Sequence, residues 1–173
     1  MRLFFALRPN VVALQNLCDL AAGLELSAGS RPVPPENYHV TLAFVGDVAA
    51  EVFASIRKIG TGNTRSRGVV SLDMCEFWPP ARAVVATGNV SVGLLDLAGR
   101  LQSAVAAHGA NNAAEHLWRP HVTLARKVLQ PPVLQAMSPI SWTVDSFALM
   151  SSERLEGRSV YTVVDTYPLL DKI

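Results

Sequence analysis

Only two cysteines, Cys18 and Cys75, occur in the 173 residues. Both sit in apolar segments, and neither has a Cys or His neighbour at metal-ligand spacing. A disulfide framework and a cysteine-based metal site are therefore not expected. Lysine is scarce as well, with three against twelve arginines, and formal net charge is only +1. That balance argues against strong non-specific binding to nucleic acid or to an anionic membrane. No run approaches the roughly 18 apolar residues of a membrane span. Between Arg2 and Arg8 lie only five apolar residues, fewer than a signal-peptide core needs. A soluble cytoplasmic protein with no membrane partner is expected. Half of the residues are hydrophobic, enough to bury one compact core.

The chain carries a duplication. His39-Val-Thr-Leu-Ala43 and His121-Val-Thr-Leu-Ala125 are identical. Upstream of each is a weaker echo, Arg2-Leu-Phe-Phe-Ala-Leu7 against Arg82-Ala-Val-Val-Ala-Thr87. Both are short apolar runs rich in strand formers, followed by Pro9-Asn10 and by Gly88-Asn89. A helical spacing follows each: Val12, Leu14, Leu17, Leu20 and Leu24 in the first half, Leu94, Leu97, Leu101 and Val105 in the second. The second ends at His108-Gly109, a cationic last turn and a cap glycine. Asp47 is expected to cap a short helix over 48–59, and Pro131-Pro132 to open a shorter one. Strand-like runs cover 69–77, 141–150 and 158–167, and Trp78-Pro79-Pro80 separates the halves. The pattern predicts an α+β fold within residues 1–173. It has two similar lobes, approximately 1–78 and 81–173, with strands open to exchange between them. The strands are mainly antiparallel, the helices lie outside, and a pseudo-two-fold relates the lobes across a central cleft.

Alternation along a strand makes the pentapeptide chemical. His39 and Thr41 share one face while Val40 and Leu42 face the core, and His121 and Thr123 repeat the arrangement. Packing needs the Val and Leu; it does not need an outward His in both copies. Imidazole titrates near pH 6.5, so one neutral and one protonated ring facing a phosphorus atom form a general base and a general acid. The Thr hydroxyls can hold the non-bridging oxygens where charge develops.

These residues and their setting resemble the 2H phosphoesterases, which carry two His-x-Thr/Ser-x motifs, and within them the RNA 2′,3′-cyclic phosphodiesterases. The resemblance extends over Arg2-Leu-Phe-Phe-Ala-Leu7, Val33-Pro-Pro-Glu-Asn-Tyr-His-Val-Thr-Leu-Ala-Phe-Val-Gly46 and Arg119-Pro-His-Val-Thr-Leu-Ala-Arg126. It ends with Gly157-Arg-Ser-Val-Tyr-Thr-Val163 before Pro168-Leu169. Tyr38, where Leu is commoner, and Arg158, where Pro is frequent, depart from the pattern. The resemblance implies hydrolysis of a 2′,3′-cyclic phosphate at an RNA 3′ end to a 2′-phosphomonoester, without cofactor. It implies His39 as proton donor, His121 as proton acceptor, Thr41 and Thr123 as phosphate-oxygen ligands, and Phe44 and Arg126 in the substrate site. The expected partner is RNA with a cyclic phosphate end, tRNA fragments among the candidates, bound by a monomer.

Simple alternation turns Phe44 and Arg126 away from their histidines. A break in the pleat after each Thr is therefore expected. No metal is expected, since neither motif supplies further ligands nearby. His108 and His116 read as solvated, Thr64-Arg-Ser-Arg67 as a basic loop that could touch RNA backbone, and Trp118 as either a base-stacking or a core residue. The competing readings are hydrolysis of a small cyclic nucleotide, 2′-5′ ligation as the reverse reaction, or an RNA-binding module that has lost catalysis. The intact His and Thr of both motifs speak against the last.

Overall fold

The computed structural model describes residues 2–63, 67–108, 118–134, 136–155 and 158–170. His116, the loop positions Thr64–Ser66, Gly109 and Gly157 lie outside the described residues. Among the described residues, nine strands and three α-helices follow one another. β1 (Arg2–Leu7), α1 (Val11–Ala22), β2 (Arg31–Pro32) and a 3₁₀ turn at Pro35–Asn37 lead to β3 (Val40–Asp47). Then come α2 (Ala50–Gly62), β4 (Gly68–Trp78), β5 (Ala83–Val90), α3 (Val92–Ala106) and β6 (His121–Arg126). β7 (Ile140–Val144), β8 (Ser146–Leu155) and β9 (Arg158–Pro168) close the chain.

All strands join one antiparallel sheet in the order β7-β4-β5-β6-β3-β1-β8-β9, with β2 paired to β6. Exchanging β1 with β5, β3 with β6, β8 with β4 and β9 with β7 leaves that order unchanged when read backwards. This is the pseudo-two-fold in topological form. Its centre is the β3–β6 contact, where Val40 pairs with Val122, the same residue of the two repeats. β4, from the first half of the sequence, lies with β5, β6 and β7. β8 and β9, from the second, extend the sheet beyond β1.

Local chemistry accounts for the elements. β1 is covered on both faces, Leu3 to Leu7 being buried, so it reads as an unbroken apolar run. Asn10 caps α1 by accepting from the Ala13 amide at 2.9 Å. The apolar stripe of α3, Leu94, Leu97, Leu101 and Val105, is fully buried against the sheet. At Gly88 the neighbouring strand comes so close that an added Cβ would run into the Ser71 carbonyl, where β4 shifts register against β5.

Three expectations are corrected. Asp47 ends β3 and does not cap α2, whose N-cap is Ala49 without a side-chain bond; the chain needs two further residues to turn out of the strand. Residues 127–134 and 136–139 form no helix. Pro131, Pro132 and Pro139 withhold three amides within nine positions, and each also bars its predecessor from the helical region. The run 141–150 is two strands at opposite parts of the sheet. β7 alternates buried and exposed at Ile140 to Val144 as the partner of β4. β8, beside β1, is buried from Phe147 to Ser151, and only Asp145 separates the two strands.

Candidate active site

The pleat breaks at the same place in both motif strands. Against β1, residues Phe5 and Ala6 face Ala43 and Thr41, leaving Leu42 as an extra residue. Against β5, residues Val84 and Val85 face Ala125 and Thr123, leaving Leu124 extra. Both bulges put two successive buried residues, Leu42-Ala43 and Leu124-Ala125, after the Thr and return Phe44 and Arg126 to the exposed side. The carbonyls displaced by the bulges find other donors. Gln102 Nε2 reaches Leu42 O at 2.9 Å, and the Val33 amide reaches Leu124 O at 2.8 Å.

His39, Thr41, Phe44, His121, Thr123 and Arg126 thereby line one cleft of about 320 Å³ across the pseudo-two-fold. Each imidazole is held in the same way. His39 Nδ1 lies 2.7 Å from Asn37 O, and His121 Nδ1 lies 2.8 Å from Arg119 O. A carbonyl only accepts, so Nδ1 carries the hydrogen in both rings and Nε2 is left for the cleft. His39 Nε2 is 3.1 Å from Thr41 Oγ1.

The surroundings of the two rings differ. His39 packs against Phe4, with ring centroids 4.9 Å apart, and edge-on against Tyr161 at 5.2 Å. His121 lies 4.5 Å from the Trp78 ring. Trp78 Nε1 donates to Glu76 at 2.7 Å, Arg119 donates to both Glu76 oxygens at 2.9 and 3.1 Å, and the Arg119 guanidinium lies over Trp78. One carboxylate thus fixes both the ring beside His121 and the residue whose carbonyl takes its Nδ1–H. The paired Arg119 and Trp78 hold Glu76 below the usual carboxylate range, the Trp78 hydrogen bond contributing most.

Burial lowers both imidazoles. His39 falls from 6.5 to about 4, first through desolvation, with the positive charges of His121 and Arg126 acting in the same direction. His121 is lowered too, again first by desolvation and then by Arg126 and Arg119. That Arg126 acts on both rings reflects its place in the same cleft.

Among the described residues, no three His, Cys, Asp or Glu side chains gather as a metal site would require. His108 caps the end of α3 by donating to Ala104 O at 2.9 Å, away from the cleft. Trp118 packs on the core and donates its indole N–H to Thr41 O at 2.9 Å, tying the approach to the second motif onto the first. Both cysteines are free. No helix among the described residues is long and apolar enough to cross a membrane. Phe4, Tyr161, Trp78 and Glu76 have no motif of their own. Their place is set by long-range strand pairing, and Phe4 and Tyr161 were legible only as members of apolar or tail segments.

Comparison with known proteins bears on this geometry. The model of the LigT-like phosphoesterase family matches residues 8–82, which contain the first motif. The RNA 2′,3′-cyclic phosphodiesterase of Escherichia coli strain K12 is 32% identical over 97% of this chain and 96% of its own length. The enzyme of the same description from Thermus thermophilus is 28% identical over 98% and 90%. The crystal structure of Escherichia coli LigT complexed with 3′-AMP superposes with a TM-score of 0.84 at 28% identity, covering 97% of both chains. With two His-x-Thr strands meeting at one cleft and similarity along nearly the whole chain, the protein belongs to the LigT-like phosphoesterase family.

Proposed function

We propose that the protein hydrolyses the 2′,3′-cyclic phosphate at an RNA 3′ end to a 2′-phosphomonoester, using His39 and His121 as paired acid and base. The observation that carries this reading is the symmetric seating of the two rings. Each Nδ1–H is held by the carbonyl two residues before it, so each Nε2 is available to the same cleft. The activity assigned to the Escherichia coli and Thermus thermophilus relatives, and the 3′-AMP bound by Escherichia coli LigT, fit the same chemistry.

Water attacks phosphorus while His121 Nε2 takes its proton. The P–O3′ bond breaks, and the departing O3′ takes a proton from His39 Nε2. Thr41 and Thr123 donate to the non-bridging oxygens, and the Arg126 guanidinium offsets the negative charge that grows as a diester monoanion becomes a monoester. The assignment of donor and acceptor follows the family resemblance, and the charge state follows from electrostatics. In the free cleft, burial keeps both rings neutral near pH 7. A phosphate anion between them favours the charged imidazolium and so restores a proton to the donor as substrate binds.

Phosphorus NMR of the product from a cyclic-phosphate-ended oligonucleotide tests the proposal. A 2′-phosphomonoester is expected. A 3′-phosphomonoester would reverse the acid and base positions relative to the ribose, and no hydrolysis would overturn the function.

A further inference from the structure

The histidine cleft does not end at the aromatic residues. A second hollow of about 450 Å³ adjoins it, lined by Arg2, Asp47, Ser152, Arg154 and Ser159. Arg2, Ser152 and Ser159 line the histidine cleft as well, so the two form one trough along the inner face of the sheet. Strand register explains its composition. Arg2 and Phe4 share a face of β1, and Met150, Ser152 and Arg154 share a face of β8. Arg2 pairs with Ser152, Ser152 with Tyr161, and Arg154 with Ser159. Next to His39 this face is apolar, with Phe4, Ala6, Ala148, Met150 and Tyr161 in one cluster. One pleat repeat further out, about 7 Å along the strands, it becomes hydroxylic and basic.

The two arginines stand apart from three of the others in the fold. Arg57, Arg100 and Arg119 have carboxylate partners. The side chains of Arg2 and Arg154 make no ion pair or hydrogen bond among the described residues. Asp47, opposite Arg2 in the β1–β3 ladder, offsets one of the two charges. That leaves room for one singly charged anion rather than for any polyanion.

Resting on the cyclic phosphodiesterase reading, we infer that this outer trough is a second phosphate subsite. It holds the phosphate that joins the terminal nucleotide to the one before it. Arg2 and Arg154 supply charge-assisted hydrogen bonds to its oxygens, and Ser152 and Ser159 supply neutral ones. The terminal ribose spans the aromatic patch between the two subsites. The enzyme therefore selects polynucleotide ends over free cyclic nucleotides without reading a base.

The test compares adenosine 2′,3′-cyclic phosphate bearing a 5′-hydroxyl with the same compound bearing a 5′-phosphate. In the wild type, the 5′-phosphate should raise kcat/KM by roughly tenfold to a hundredfold, mostly through KM. Arg154→Gln should erase that preference while leaving turnover of the 5′-hydroxyl compound unchanged. Arg154→Lys should restore part of it. Arg154 is exposed, and circular dichroism checks that each variant is folded. Equal kcat/KM for the two compounds in the wild type, or an equal loss on both in Arg154→Gln, overturns the subsite while leaving the cyclic phosphodiesterase reading intact. Hydrolysis of neither compound by the wild type overturns the reading beneath it, and the subsite with it.

Discussion

If an anion in the cleft restores the proton to His39, anion affinity must depend on pH, and the structure sets the size of the effect. Sulfate is a suitable probe because it stays a dianion from pH 5 to pH 8. In the free protein, His39 is lowered from 6.5 to about 4, chiefly by burial. If bound sulfate returns it to about 6.5, the protonated protein binds sulfate about 300-fold more tightly than the neutral one, a difference of about 3 kcal/mol. The sign follows from linkage: protonation favours binding, so affinity rises as pH falls below the bound-state value and levels off below the free-state value. Between pH 8 and pH 6.5 affinity should change little. From there to pH 5 it should rise by about tenfold per pH unit. Calorimetry in two buffers of different ionisation enthalpy should show close to one proton taken up per sulfate near pH 5.5. His121, lowered as well, adds its own smaller uptake. His39→Ala should remove the larger part of the slope. A sulfate affinity that is flat from pH 5 to pH 8, or a slope untouched by His39→Ala, would refute the electrostatic argument.

Other consequences follow from the same geometry. Arg126→Lys should lower kcat/KM by about tenfold or more in a hydrolysis assay, because a point charge cannot reproduce a planar fork on two phosphate oxygens. Glu76→Gln should lower kcat more than KM and shift the pH–rate profile, since it loosens both Trp78 and the Arg119 carbonyl that orients His121; an unchanged profile would show that the network only stabilises the fold. Stability should also depend on His39. A buried neutral imidazole contributes stability that is present above about pH 6.5 and lost as pH falls toward about 4, at most about 3 kcal/mol. Urea midpoints across that range should fall for the wild type and fall less for His39→Ala.

The two pentapeptides pointed to the candidate site because their histidines sit at outward positions that packing does not require. The need for a bulge was legible too: Phe44 and Arg126 have the wrong parity for a regular strand, and both strands carry an extra residue at Leu42 and Leu124. What the sequence hid depends on pairing between distant segments. Phe4 and Tyr161 meet His39 only because β8 lies between β1 and β9, an order that no local pattern encodes. Glu76 and Trp78 belong to a strand from the first half of the sequence that serves the second histidine, and topology alone brings them there. The run 141–150 concealed a change of partner strand because β7 and β8 are both largely apolar and only a single residue, Asp145, separates them. At Pro131-Pro132, the helix-opening preference of proline was outweighed by a third proline too close downstream for a helix to grow.

The paired-histidine mechanism is tested most directly by the turnover of a cyclic-phosphate-ended oligonucleotide by wild type, His39→Ala, His121→Ala and the double variant. In that mechanism each histidine handles a different proton of the same transition state. Each single variant should therefore lose roughly 10²–10⁴-fold in kcat, and the double variant should lose less than the product of the two losses. Circular dichroism should show all four proteins folded. A folded single variant of either histidine that turns over at near the wild-type rate would contradict the account.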